Sequence, residues 1–397
     1  MNIITDDSLA NIEFQLKWKS KNAEHNENFY TTVNVWRDIL PPGLNERLLG
    51  KASGDIVQAT YSKEEKLLSS TPSNEMTLKR GQFTSDTITP RYGRFYPLGT
   101  LNGIANVFPG NLKPFRVTGI NNGHINVDLN HPLSDYDLTV KAVVQDAIAK
   151  PYDRGGGCSM LMECLADGPG MQVRGNGRST DFFSENAFDR EDETNDDLFY
   201  QKPRFVNHID SKAISTISEL YGSLMQPGMD VLDLMSAWRS HIPDNADLKS
   251  LVGLGMNAEE MSENPQLTDY RVHDLNINPK LPFEDNSFDL VICTVSVEYL
   301  IHPDDVFADV ARVLRPGGTF ALTFSNRWFP PKTIRVWSEL HEFERVGLVL
   351  EYFLRTGKFT GLNTFSSRGW PRPETDKYYP DVFISDPVYA VWGKTVK

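Results

Sequence analysis

Cysteine is scarce in this chain: three residues, Cys158, Cys164 and Cys293, among 397. So few thiols make a poor disulfide framework and suit a reducing compartment. Basic residues are also in deficit, with 40 Lys and Arg against 53 Asp and Glu, a net charge of -13. Without a basic excess, neither nucleic acid nor an anionic membrane is expected as a partner. No apolar run is long enough to cross a bilayer. The opening "MNIITDDSLANIEF" is acidic and lacks the apolar stretch of a secretory signal. A cytoplasmic location is the expectation.

What is present divides the chain, since 397 residues exceed what one core usually serves. "NIEFQLKWKS" alternates Ile12, Phe14, Leu16 and Trp18 with polar residues, the period of a strand with one wet face. "VNVW", "DIVQATY" and "LTVKAVV" are further strand candidates. Asn122-Gly123 predicts a tight hairpin turn. Leu44 and Leu48 lie one turn apart before Gly50, which predicts a short helix. These signals give a β-rich α+β domain over residues 1–148.

"LPPGLNERLLGKASGDIV", "RYGRFYP" and "INVDLNHPLSDYDLTVKAVV" resemble FKBP-like prolyl isomerases of the type with an insert in the flap. The resemblance implies that Tyr30, Ile39, Tyr92 and Leu133 line a proline pocket. The chain departs from that pattern at "FYTT", where an acidic residue is usual, and in a shortened flap insert at about residues 95 to 125. Such chemistry needs an apolar pocket rather than an acid or base. With the acid missing, peptide or partner binding is expected ahead of isomerisation.

Residues 149–207 are rich in glycine and then in acidic residues, a loop-rich linker or a lid. Cys158 and Cys164 with Met160, Met162 and Met171 match no zinc spacing, so packing methionines and no metal are expected here.

From residue 208 helix and strand patterns alternate. "MDVLDLM", "SLVGLGM", "YRVHDL", "FDLVICTVSV" and "TFALTFS" are strands, most of them continuously apolar, as parallel strands covered on both faces should be. "HPDDVFADVARVLRPGG" carries a helix whose stripe is Val306, Phe307, Val310, Val313 and Leu314, with Gly317 as its expected stop. A doubly wound α/β sheet follows. "LPFEDNSFDLVICTVSVEYL" and "VFADVARVLRPGGTFALTFSN" resemble class I S-adenosylmethionine-dependent methyltransferases over residues 208–397. The chain as a whole resembles bacterial isomerase–methyltransferase fusions. The implied fold is a Rossmann-like class I methyltransferase preceded by the FKBP-like domain, and the implied cofactor is S-adenosyl-L-methionine.

The glycines of that family's first turn are missing. Asp233 holds the acidic position, but Met235, Ala237 and Arg239 stand where glycines let the cofactor approach the backbone. Asn257 replaces the usual ribose-binding acid, whereas Asp274, beside Leu275, keeps the adenine-binding position. Either Ser236 and the backbone of Met235 to Ala237 still admit the cofactor, with Ser296 completing the set, or the turn is filled and the domain is a non-catalytic scaffold or chaperone-like module.

The acceptor, a small molecule or peptide, is expected beyond the fourth and fifth strands. Tyr299 and His302 are the candidate catalytic residues, His302 as a base if the nucleophile starts protonated. Arg239, His241, Asn326, Arg327 and Trp328 are the candidate substrate residues, the last two suited to an anionic or planar acceptor. A protein partner is expected at the FKBP-like domain.

Overall fold

A computed structural model describes residues 2–84, 88–105, 107–149 and 157–396. The chain forms two compact units. The first comprises Met1–Asn22, Thr32–Ala187 and Leu340–Glu351, and the second Ala23–Thr31, Phe188–Glu339 and Tyr352–Lys397. The boundary expected after residue 207 therefore lies near residue 187.

In the first unit, the strand Ser8–Lys19 pairs antiparallel with Leu138–Ala149, which also pairs with Ile56–Tyr61. Ile12, Phe14, Leu16 and Trp18 all point into the core, as their alternation requires. The helix Leu44–Leu48 buries both leucines and ends near Gly50, whose φ of 78° only glycine adopts easily. A second sheet joins Glu75–Lys79, His124–Asp128, Pro114–Asn121 and Phe95–Pro97, with Phe83, Tyr96 and Phe115 in its core. "VNVW" is not a strand of its own. Val33 and Asn34 end the longer strand Ala23–Asn34, and Val35 and Trp36 follow it.

The four residues drawn as a prolyl pocket divide between the two units and differ in their surroundings. Tyr30 stacks on Trp370 with ring centres 4.4 Å apart, both in the second unit. Leu133 is fully buried. Tyr92 is capped by the Arg178 guanidinium 4.1 Å from its ring centre, and Ile39 lies half exposed. Met162 and Met171 are buried in packing, while Met160 is exposed.

In the second unit the helix α1 (Ser211–Leu224) precedes strands β1 (Asp230–Leu234) and β2 (Ser250–Gly255). The helix α2 (Ala258–Ser262) and strands β3 (Asp269–Val272) and β4 (Phe288–Thr294) follow. Next come α3 (Pro303–Val313), β5 (Leu314–Phe324), the end of α4 (Glu342–Thr356) from Tyr352 on, β6 (Phe359–Arg368) and β7 (Val388–Thr395). The sheet order is β3-β2-β1-β4-β5-β7-β6, parallel through β5, with β7 antiparallel to both neighbours. Order reverses between β1 and β4, the place where doubly wound sheets hold their ligands.

Val231, Leu232, Leu234 and the run Leu290 to Cys293 are fully buried, which explains their unbroken hydrophobicity. Each such aliphatic side chain contributes roughly 1.5–3 kcal/mol of transfer free energy. Gly317 does not stop α3. Leu314 caps the helix and begins β5, and Gly317 lies inside that strand with φ 80°.

Candidate functional site

One cavity opens at the carboxyl ends of β1, β2 and β4, lined by Asp233, Leu254, Gly255 and Thr294 at the strand ends. The turn after β1 contributes Met235, Ser236, Ala237, Trp238, Arg239 and His241, and further walls come from Asn257, Asp274, Leu275, Ser296 and Tyr299. Thr294 is held by Tyr221 of α1, whose hydroxyl meets the Thr294 and Thr323 hydroxyls at 2.8 and 2.9 Å.

The turn solves its loss of glycine by moving the requirement next door. Met235 sits at φ 59° and His241 at φ 55°, the left-handed region glycine would normally occupy. Val295, also lining the cavity, has φ 43°, which for a β-branched residue is a strained state. The close approach is made by β2. A Cβ on Gly255 would lie 2.1 Å from the Ser236 carbonyl oxygen, so the backbone of the turn lies directly on that glycine. The Ser236 amide donates to Leu254 O at 2.8 Å and locks the packing.

Asp233 is almost wholly buried, and burial pushes its carboxyl up to about 7 although Ser236 and Ser240 donate to it. Asn264 ties the turn together, donating to Ala237 O and Ser240 Oγ at 3.0 Å each. Burial, with Arg239 and His208 nearby, lowers His241 to about 4, so its imidazole is neutral.

Asn257 lines the cavity, but its side chain is committed elsewhere. Its Oδ1 accepts from Glu260 N at 3.0 Å as the α2 cap, and its Nδ2 donates to Tyr200 O at 2.8 Å. The carboxylate at this end of the cavity is Glu260, which accepts from Arg204 N at 2.6 Å. Asn257 followed three residues later by a glutamate is the pattern that opens a helix, and it marks Asn257 as the cap. Asp274 spends one oxygen on the amides of Asn276 and Ile277.

Residues 188–207, expected as part of a linker or lid, supply a wall through Asp196, Tyr200, Arg204, Val206 and Asn207. Asp196 anchors them. It accepts from both Arg190 and Asn276 and lies 3.2 Å from Lys332 Nζ, a lysine with no exposed surface. Lys332 also donates to Thr194 O at 2.6 Å. At the other end Trp238 Nε1 donates to Val206 O at 3.3 Å.

Of the expected catalytic and substrate residues, Tyr299, Arg239 and His241 line the cavity, whereas His302, Asn326, Arg327 and Trp328 do not. His302 precedes Pro303 at the start of α3 and borders a different opening with Arg190 and Arg335. After β5 the chain turns outward, leaving Asn326 exposed, and only Phe329 returns to the cavity as its amide donates to the Tyr299 hydroxyl at 2.8 Å. Tyr200, Arg204, His208, Glu260 and Phe329 were not singled out from sequence, because only tertiary contact brings them to the strand ends.

Against known proteins, one stretch matches a family model. Residues 250–322 match the family model described as a methyltransferase domain. The second unit has the class I, Rossmann-like methyltransferase fold, and the match implies S-adenosylmethionine as cofactor. The ubiquinone/menaquinone biosynthesis C-methyltransferase UbiE of Laribacter hongkongensis is 28% identical over 138 residues, 32% of this chain and 54% of that protein. The protein of the same name from Burkholderia mallei is 43% identical over 54 residues, 13% of this chain and 22% of that one. The chain thus spans about half the length, or less, of these curated relatives. A solved methyltransferase structure from Bacillus halodurans superposes with a TM-score of 0.33 at 13% identity, covering 47% of this chain and all of that one. Among the described residues no helix is long and apolar enough to cross a membrane.

Proposed function

We propose that the second unit is an S-adenosylmethionine-dependent methyltransferase whose altered turn still receives the cofactor. The observation that carries this reading is the packing of the Ser236 carbonyl on Gly255. It transfers the glycine requirement to β2 and leaves the cavity at the β1–β4 switch point lined but open. In this reading Asp274 and Leu275 hold the adenine, and Glu260, rather than the committed Asn257, takes the ribose hydroxyls. The backbone from Asp233 to Ala237 holds the amino-acid portion, with Arg239 available to its carboxylate. The cofactor supplies an electrophilic methyl group on a sulfonium. Tyr299 and Phe329 bound the acceptor side, and His208, whose pKa burial lowers, is placed to take a proton from an acceptor that starts protonated.

A second reading has its own observation. Asn257, Met235 and Asp233 all serve internal structure, which suits a scaffold or chaperone-like module that has lost its cofactor. Calorimetric titration with S-adenosylhomocysteine separates the two. The methyltransferase reading requires saturable heat and thermal stabilisation, and neither at millimolar ligand would leave the scaffold. We further assign the first unit, with its FKBP-like sequence motifs, a peptide- or partner-binding role rather than isomerase activity, because the acidic residue usual in that family is missing at "FYTT". Unchanged cis-to-trans conversion of a proline peptide, in a protease-coupled assay, is the expected result.

A further inference from the structure

The acceptor side of the cavity combines two features. The first is aromatic. The Phe329 ring lies 4.9 Å from His208, edge-on, and 6.1 Å from Tyr299, nearly parallel. All three residues line the cavity together with Tyr200. The second is cationic. The Arg204 guanidinium is 5.4 Å from the Phe329 ring and 4.6 Å from that of Phe199. Arg327 packs 4.7 Å over Tyr378, with Lys377 4.9 Å from the same ring. Arg204, Lys377 and Arg327 all act electrostatically on His208, reinforcing the burial that lowers its pKa.

None of these three cations is within ion-pair distance of a carboxylate among the described residues, although the chain carries a net charge of -13. Other arginines of this unit do pair. Arg190 meets Asp196, Arg312 meets Asp309, and Arg372 meets Asp386. Arg204 donates to Phe199 O at 2.9 Å and feels the Glu260 carboxylate, and Arg327 and Lys377 bond Tyr378, yet none of the three forms an ion pair, so this corner keeps a cationic excess that can draw an anion. The guanidinium suits a planar, bidentate acid, and the flat rings suit a flat ligand body.

We propose that the methyl acceptor is a planar aromatic molecule bearing a carboxylate, its ring against Phe329 and Tyr299 and its acid on Arg204, with Arg327 and Lys377 adding long-range attraction. This rests on the methyltransferase reading, which it deepens by naming the class of acceptor. It also gives Arg327 a part in recognition from outside the cavity wall.

The test uses the full chain with 2-naphthoate as probe, its neutral counterpart 2-naphthamide, and the non-planar cyclohexanecarboxylate, each by calorimetry with S-adenosylhomocysteine present and absent. Naphthoate should bind at least about ten-fold more tightly than either comparison compound, since a charge-assisted bidentate contact and a flat stacking surface are both needed. Arg204→Gln should weaken naphthoate by about ten-fold or more, while Arg355→Gln, a surface arginine paired with Asp304, should not. Equal affinity for naphthoate and naphthamide, or for naphthoate and cyclohexanecarboxylate, overturns the proposal without recourse to a variant. So does binding of S-adenosylhomocysteine with no binding of naphthoate, which leaves the cofactor assignment standing. Naphthoate binding without S-adenosylhomocysteine binding supports the anion subsite and removes the methyltransferase reading instead.

Discussion

The Ser236 hydroxyl donates to Asp233 Oδ2 at 2.6 Å, and both side chains are buried beneath the turn that follows β1. This pair, rather than glycine, sets the path of the turn, and it puts an ionisable group where water cannot reach. In the unfolded chain an aspartate releases its proton near 3.8, whereas burial holds Asp233 protonated to about 7. The folded state therefore binds the extra proton across that interval, so stability falls as pH rises through it and levels off above the folded value. Relative to Asp233→Asn, the wild-type chain should lose roughly 2–3 kcal/mol of unfolding free energy between pH 5 and pH 8. Urea denaturation of both proteins at the two pH values measures this. An unchanging difference would mean that the carboxyl is ionised throughout.

Gly255 is the substitute for the absent glycines, so it should tolerate no side chain. Gly255→Ala would place a Cβ against the Ser236 carbonyl, a backbone atom that cannot swing aside. A loss of about 2 kcal/mol or more is expected. At Gly253 the nearest obstacle is the end of the Leu267 side chain, so Gly253→Ala should cost less. Equal costs at the two positions, by thermal unfolding, would refute the packing described for the turn.

Met235 tests backbone strain in the same turn. At φ 59°, Met235→Val should destabilise by about 1–2 kcal/mol, because a β-branched side chain fits that region worst. Met235→Gly should stay within about 1 kcal/mol of wild type, since relieved strain is offset by a more flexible unfolded chain. A stabilised Met235→Val would contradict the conformation assigned here.

The Asp196 hub makes a prediction about ion pairing. Asp196→Ala leaves Arg190 and the fully buried Lys332 without their shared carboxylate, a loss of about 3–5 kcal/mol. Adding Lys332→Met should recover part of that loss, so the double variant should be less destabilised than the two single effects summed. Strict additivity in denaturant titrations would show that the two residues do not act as a unit.

Much of the second unit was legible because its strands are apolar on both faces and its helices amphipathic. Asp233, Asp274 and the run around "RVLRPGG" were placed through a family resemblance, and Gly317, expected to stop α3, lies inside β5. The strand Ala23–Asn34 could not. Its segment "AEHNENFYTT" reads as polar, yet His25 and Glu27 are buried by bonds to Thr364 and Ser366 of β6. Partners more than three hundred residues away are invisible to a local pattern. The same holds for Arg204 and Lys332, whose positions follow from how residues 188–207 fold back over the strand ends. At His302 the sequence pointed to a base, but Pro303 fixes it at a helix start away from the cavity. Asn257 shows the reverse case, where a helix-capping pattern was present and the ligand-binding expectation obscured it.

The central claim is that the hollow beside Met235 admits a sulfonium nucleoside, and a crystal structure with S-adenosylhomocysteine tests it most directly. The account predicts ligand density with its adenine beside Asp274 and Leu275, its ribose at Glu260 and its amino-acid end along Met235 to Ala237. Density for the Met235 thioether filling that space, with no nucleoside bound, would contradict it.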